Sequence, residues 1–156
     1  DASPPSSGLI GERPWPTLVS IFIAGALLRG AFALAFPTIH GGDAAARLAH
    51  PDTLILGYQL PLPQIFVALA RHASDSPVPA RIVFCLWGGF LAAALAGFAA
   101  VHFGARTAAF VGALAVTDPF LIHYSIVPYQ EPVAYSLVAL AFILVFQERI
   151  GAASLA

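Results

Sequence analysis

The chain has no lysine: all seven of its basic residues are arginine, and charged residues of both signs make up only 10% of it. With a net charge of −1 it carries no basic footprint for a nucleic-acid backbone, which excludes that class of partner. Cysteine is nearly absent. The single thiol, Cys85, lies inside an apolar run, so no disulfide framework exists and the residue reads as a small buried hydrophobe. The five histidines, His40, His50, His72, His102 and His123, show no paired metal-ligand spacing. A glycine-rich phosphate loop is also missing, because Gly41-Gly42 lacks the strand, lysine and helix context, and nucleotide sugars are not expected as donors.

Apolar residues fill the space that charge leaves. They make up 59% of the chain and the mean hydropathy is +0.84, far from the roughly 45–50% apolar and about 25% charged composition of soluble domains. The expected class is therefore an all-α polytopic membrane protein. Residues 1–16, rich in proline, serine and glycine, are expected to form a disordered cytoplasmic tail that reaches the membrane near Trp15. Four spans are expected at about 17–36, 82–101, 107–117 and 132–146, with residues 150–156 a linker into further chain. The first run also imitates a secretory signal, with Arg13 before it and an Ala31, Ala33, Ala35 spacing after it. Arg29 argues against cleavage, since a charge between apolar core and cleavage site is unusual.

The loop 37–81 should carry two short interfacial helices. Asp43 is placed to open the first, over Ala44–Ala49, with Arg47 four residues on and on the same face. The second is expected from Pro63 to Ala73, presenting Ile65, Phe66, Leu69 and Ala70 on one side. Farther along, the third and fourth apolar runs are too short for a full crossing, so residues 118–131 are expected as non-helical backbone around a recess. Gly89, Ala93 and Gly97 form a stripe that lets a neighbouring helix approach closely.

Orientation is not readable from charge. With the N-terminus inside, Arg13, Arg106 and Arg149 face the cytoplasm while Arg47, Arg71 and Arg81 face the other side, an even division. That orientation is adopted because it puts the acid-bearing loops on the extracytoplasmic face together. Asp43 and Glu131 would then meet across the mouth of the bundle. A carboxylate in a partly desolvated recess suits general-base work on an acceptor hydroxyl, and Arg29 and Arg47 suit the phosphate oxygens of a leaving group. His40, three residues before Asp43, and Tyr124 complete the candidate set, Tyr124 also reading as an interface-belt aromatic.

Arg29 within the first span, the segment FPTIHGGDAAARL, the Leu-Pro-Leu-Pro step at 60–63 and the segment HYSIVPYQEPVAYSLVALAFIL are together a pattern. It resembles the amino-terminal part of C-type membrane glycosyltransferases that use dolichyl- or undecaprenyl-phosphate sugars, in the protein mannosyltransferase-like and aminoarabinose transferase-like group. The resemblance covers about residues 17–147 and implies a catalytic acid just after the first span, here Asp43. It implies a polyprenyl-phosphate-linked sugar as donor, a lipid, glycan or protein acceptor, and a bacterial cytoplasmic membrane with an extracytoplasmic active face. The acid-proline pair that opens the family's fourth span is matched by Glu131-Pro132. No cofactor is expected to be required; Ala44 stands where members often carry a second acid, which leaves a divalent metal open but without support. Two other readings compete: a transporter or channel module with Arg29, Asp118 and Glu131 along a polar path, and a non-catalytic assembly subunit using the small-residue stripe. No inverted repeat is visible to favour the transporter.

Overall fold

The computed structural model describes residues 15–37, 42–53 and 61–153, with side chains described as far as residue 146. The expected tail thus falls almost wholly outside the described residues, as does His40. Every element among the described residues is a helix: α1 (Trp15–Ala35), α2 (Gly42–Ala49), α3 (Pro61–Ala73), α4 (Val78–Phe103), α5 (Ala105–Thr117), α6 (Pro119–Ser125) and α7 (Glu131–Ala153). The all-α class holds, and the number of spans is corrected. Among the described residues, only α1 and α4 are each long and apolar enough to cross a membrane. A third crossing exists if α5 and α6, which meet at a bend of 60°, are taken together, and the apolar stretch of α7, Glu131–Phe146, is shorter than a span. Four crossings therefore reduce to two or three. The helix α7 itself continues through Ala153, into the stretch expected as a linker.

The central helix is α4, which packs against α1, α5, α7, α3 and α6. Its glycines explain why. At Gly89 an added Cβ would lie 2.7 Å from the Phe22 carbonyl oxygen and 2.9 Å from the Ala26 nitrogen, so the backbones of α1 and α4 nearly touch there. The stripe predicted from sequence is thus occupied by α1 of the same chain. Ile21 of α1 joins Ala92, Ala96 and Ala115 in one core cluster. A second cluster, Val67, Phe84 and Val133, ties α3, α4 and α7 together near Leu48, Phe66 and Trp87. Gly104, at φ +87°, turns the chain between α4 and α5 as a single residue, a left-handed position that glycine alone adopts without cost.

Two further expectations are corrected. Of residues 118–131, only Asp118 and 126–130 are non-helical, because Asp118 ends α5 and caps α6, its Oδ1 accepting from the Leu121 amide at 2.8 Å with Pro119 in the first turn. The chain thus restarts a helix where its lengths suggested a recess. A hollow of about 230 Å³ does lie beside this break, lined by Leu95, Val111, Leu114, Ala115, Asp118 and Leu121, and no candidate site residue borders it. In addition, α3 begins at Pro61 because prolines are tolerated in a first turn, and it buries Pro63, Gln64, Val67 and Ala70. The four residues expected on one side divide: Ala70 is buried and Phe66 packs on the Val67 cluster, whereas Ile65 and Leu69 are exposed. Gln64 is what turns the helix, through partners described next.

Candidate functional site

Among the described residues four helices end against a proline, and each such end poses the same chemical problem. The residue four before a proline has a carbonyl that no i+4 amide can reach, since proline has no N–H. At membrane depth water is scarce, and an unsatisfied carbonyl there is costly. The chain meets this with long polar side chains from other helices. After α2, Pro51 leaves the Arg47 carbonyl without its amide, and Gln64 of α3 donates from Nε2 to the carbonyls of Arg47 (3.3 Å), His50 (2.7 Å) and Pro51 (3.3 Å). After α5, Pro119 leaves Ala115 in the same position. Arg29 of α1 donates to the Ala115 carbonyl at 2.9 Å, to Val116 at 3.4 Å and to Gly25 of its own helix at 3.1 Å.

Arg81, in the first turns of α4, answers carbonyls at two other helix ends at once, beyond the helices rather than four before a proline. Its Nη2 donates to Phe36 O at 2.8 Å and its Nη1 to Pro37 O at 3.3 Å, just beyond α1. Its Nε donates to Ile126 O at 2.8 Å, just beyond α6 and ahead of Pro128. Arg29, Gln64 and Arg81 are all buried, at 0%, 1% and 3% exposure, and their hydrogen bonds named here all go to backbone carbonyls, which marks them as part of the scaffold. The sequence reading of Arg29 as a phosphate contact is not what the structure displays. Its partners are carbonyls, and the carboxylate acting on it is that of Asp118.

The other candidate residues gather at the end of the bundle where α1 stops and α4 starts. Asp43 lies in the first turn of α2, partly buried, and Arg47 one turn later is buried at 1% exposure. Arg47 Nη2 donates to Gln130 Oε1 at 3.4 Å, joining α2 to the residue that precedes α7. Burial pulls the Arg47 guanidinium below its ordinary pKa, while Asp43 and Glu131 both act to raise it. Two acids distant in sequence thus share one cation. Glu131 opens α7, and its Oε2 is buried with no hydrogen-bond partner among the described residues.

Tyr129 reports the same convergence. Burial lifts its phenol above the ordinary value of 10, and Tyr124, Asp43 and Glu131 push in the same direction. Its ring lies 5.3 Å from Tyr124 and 6.1 Å from His123, and those two are 5.5 Å apart, so three aromatic rings close on one another beside the acids. Tyr124 and His123 are exposed on the outer side of this group. Asp43, Arg47, Glu131 and Tyr124 are therefore brought to one locality, and Arg29 is held in the interior on the α5 break. Sequence reasoning placed neither Gln130 nor Tyr129 in the site, and it missed the clamps by Gln64 and Arg81 entirely. For Gln64 the available signal was a proline four residues after a helical carbonyl, paired with a long donor inside otherwise apolar surroundings.

No protein-family model matches the chain, and no curated protein or solved structure matches it either.

Proposed function

We propose that this chain is the amino-terminal membrane part of a glycosyltransferase that moves a sugar from a polyprenyl-phosphate donor to a lipid, glycan or protein acceptor. One observation carries the reading. Arg47, one turn after Asp43 on α2, donates to Gln130 beside Glu131, so acids from separate segments act on one buried guanidinium. In this mechanism the Asp43 carboxylate takes the proton of an acceptor hydroxyl as that oxygen attacks the anomeric carbon. The bond from that carbon to the phosphate oxygen breaks on the opposite face, and the configuration inverts. Arg47 offsets the charge that builds on the departing phosphate. The unpartnered Oε2 of Glu131 supplies an acceptor for a sugar or acceptor hydroxyl. The phosphate-binding role divided in the sequence reading between two arginines falls to Arg47 alone, because both Nη groups of Arg29 are directed at backbone carbonyls.

The resemblance noted from sequence supports the donor class, and a bacterial cytoplasmic membrane with the Asp43 loop on its extracytoplasmic face belongs to the same proposal. The test is transfer by membranes containing the full chain, supplied with a panel of radiolabelled polyprenyl-phosphate-linked hexoses. Asp43→Asn is expected to lower the rate by a factor on the order of 10²–10⁴, the usual contribution of a positioned general base. Transfer by Asp43→Asn at the unsubstituted rate would remove Asp43 from the chemistry. No transfer from any donor, together with solute flux in proteoliposomes, would favour the transporter reading. That reading has little support in the side chains it needs: Arg29 serves helix-end carbonyls, and Asp118 caps α6.

A further inference from the structure

We propose that Arg81 is a positioning residue for the Asp43–Glu131 pair, holding the end of α1 and the end of α6 on one guanidinium so that the two acid-bearing segments emerge side by side. The proposal rests on the preceding functional reading for its catalytic meaning, but its geometric content stands alone. Arg81 bonds Phe36 and Pro37 at the point where the chain leaves α1 toward Asp43. It bonds Ile126 where the chain leaves α6 toward Glu131. Val127 and Pro128, which follow, are buried, so this exit is packed as well as hydrogen-bonded. Farther along the same two segments, Arg47 of α2 donates to Gln130. The acid-bearing segments are therefore joined at two points, by Arg81 at their base, where the chain leaves α1 and α6, and by Arg47 farther along.

The chemistry requires arginine at the base. Three carbonyl oxygens accept from three different nitrogens of one planar fork, and a lysine ammonium, a compact charge on a flexible stem, does not reproduce that arrangement. A residue that only supplied positive charge or buried bulk would be replaced by lysine or by methionine without consequence at the acids. A positioning residue would not.

The experiment follows from that difference. In the full chain in native membranes, Gly42→Cys is combined with Tyr129→Cys, leaving the Arg47–Gln130 contact intact, and the rate of crosslinking by a flexible bis-maleimide is measured with Arg81, Arg81→Lys and Arg81→Met. A Cβ at Gly42 meets nothing within 4 Å, so that cysteine is accommodated, and native Cys85 is buried. A control pair, Leu18→Cys with Gly97→Cys, lies across α1 and α4 away from Arg81, where a Gly97 Cβ would stand 3.7 Å from Leu18 Cδ1. The expected result is a fall of about tenfold in the 42–129 rate for both Arg81 variants, with the control rate unchanged. Equal 42–129 rates with Arg81 and Arg81→Lys overturn the proposal. A parallel fall in both pairs also overturns it, because Arg81 would then be holding the whole bundle. If the 42–129 result is as expected and Asp43→Asn transfers normally, the positioning stands and the transferase reading fails.

Discussion

Replacing Gly89 and Gly97 by alanine, one at a time, separates helix preference from helix packing. Both glycines lie on α4, and in a helix interior each gains about 1 kcal/mol of propensity on becoming alanine, so this contribution cancels when the two variants are compared. What remains is the space available to a methyl group. At Gly97 the new Cβ would lie 3.5 Å from Ile143 Cδ1 and 3.7 Å from Leu18 Cδ1, ordinary contacts with side-chain tips. At Gly89 it would lie 2.7 Å from Phe22 O and 2.9 Å from Ala26 N, which are backbone atoms of α1 and have no rotamer to move into. Relief requires α1 to retreat from α4, and overpacking of this kind costs about 1–3 kcal/mol. Gly89→Ala should therefore be less stable than Gly97→Ala by about that amount, with Gly97→Ala equal to or above the parent. The assay is the thermal midpoint of detergent-solubilised protein, followed by the monodisperse peak in size-exclusion chromatography. Equal midpoints for the two variants, or a lower one for Gly97→Ala, would refute the α1–α4 crossing described above.

Two other outcomes test the helix ends and the acid cluster. If Arg29 replaces the amide that Pro119 lacks, Arg29→Met should cost less in a Pro119→Ala background, where the new N–H can reach the Ala115 carbonyl, and a double-mutant cycle should give a coupling of about 1–2 kcal/mol; a coupling of zero contradicts the account. The raised pKa of Tyr129 makes the folded state hold its phenolic proton longer than the unfolded chain does, so its contribution to stability is complete below the ordinary value of 10 and is lost as pH rises through its folded value. Stability measured from neutral to alkaline pH should therefore decline less steeply in Tyr129→Phe, and parallel profiles would show that Tyr129 does not sense the two acids.

The amino-acid sequence by itself determined the material of this protein. Its apolar content and scarcity of charge required membrane-embedded helices, and the prolines at 37, 51, 119 and 128 set where helices stop, because a missing N–H is a property of the residue wherever it lies. Asp43 and Arg47, a turn apart, were legible as neighbours for the same reason: helical spacing is local. Tertiary structure decided which donors answer those stops. Whether Arg29 pointed toward a ligand or toward the Ala115 carbonyl depended on where α5 lay, and whether Gln64 or Ile65 faced inward depended on three carbonyls beyond α2. The span count changed on similar grounds, since Asp118 restarts a helix at an angle that composition does not encode. The joining of α2 to the residue before Glu131 is also a matter of tertiary structure, resting on Arg47 and Gln130 from segments far apart in the chain. Periodicity and propensity act over a few residues, whereas the satisfaction of a buried carbonyl is settled by whatever side chain the packed bundle brings within about 3 Å of it.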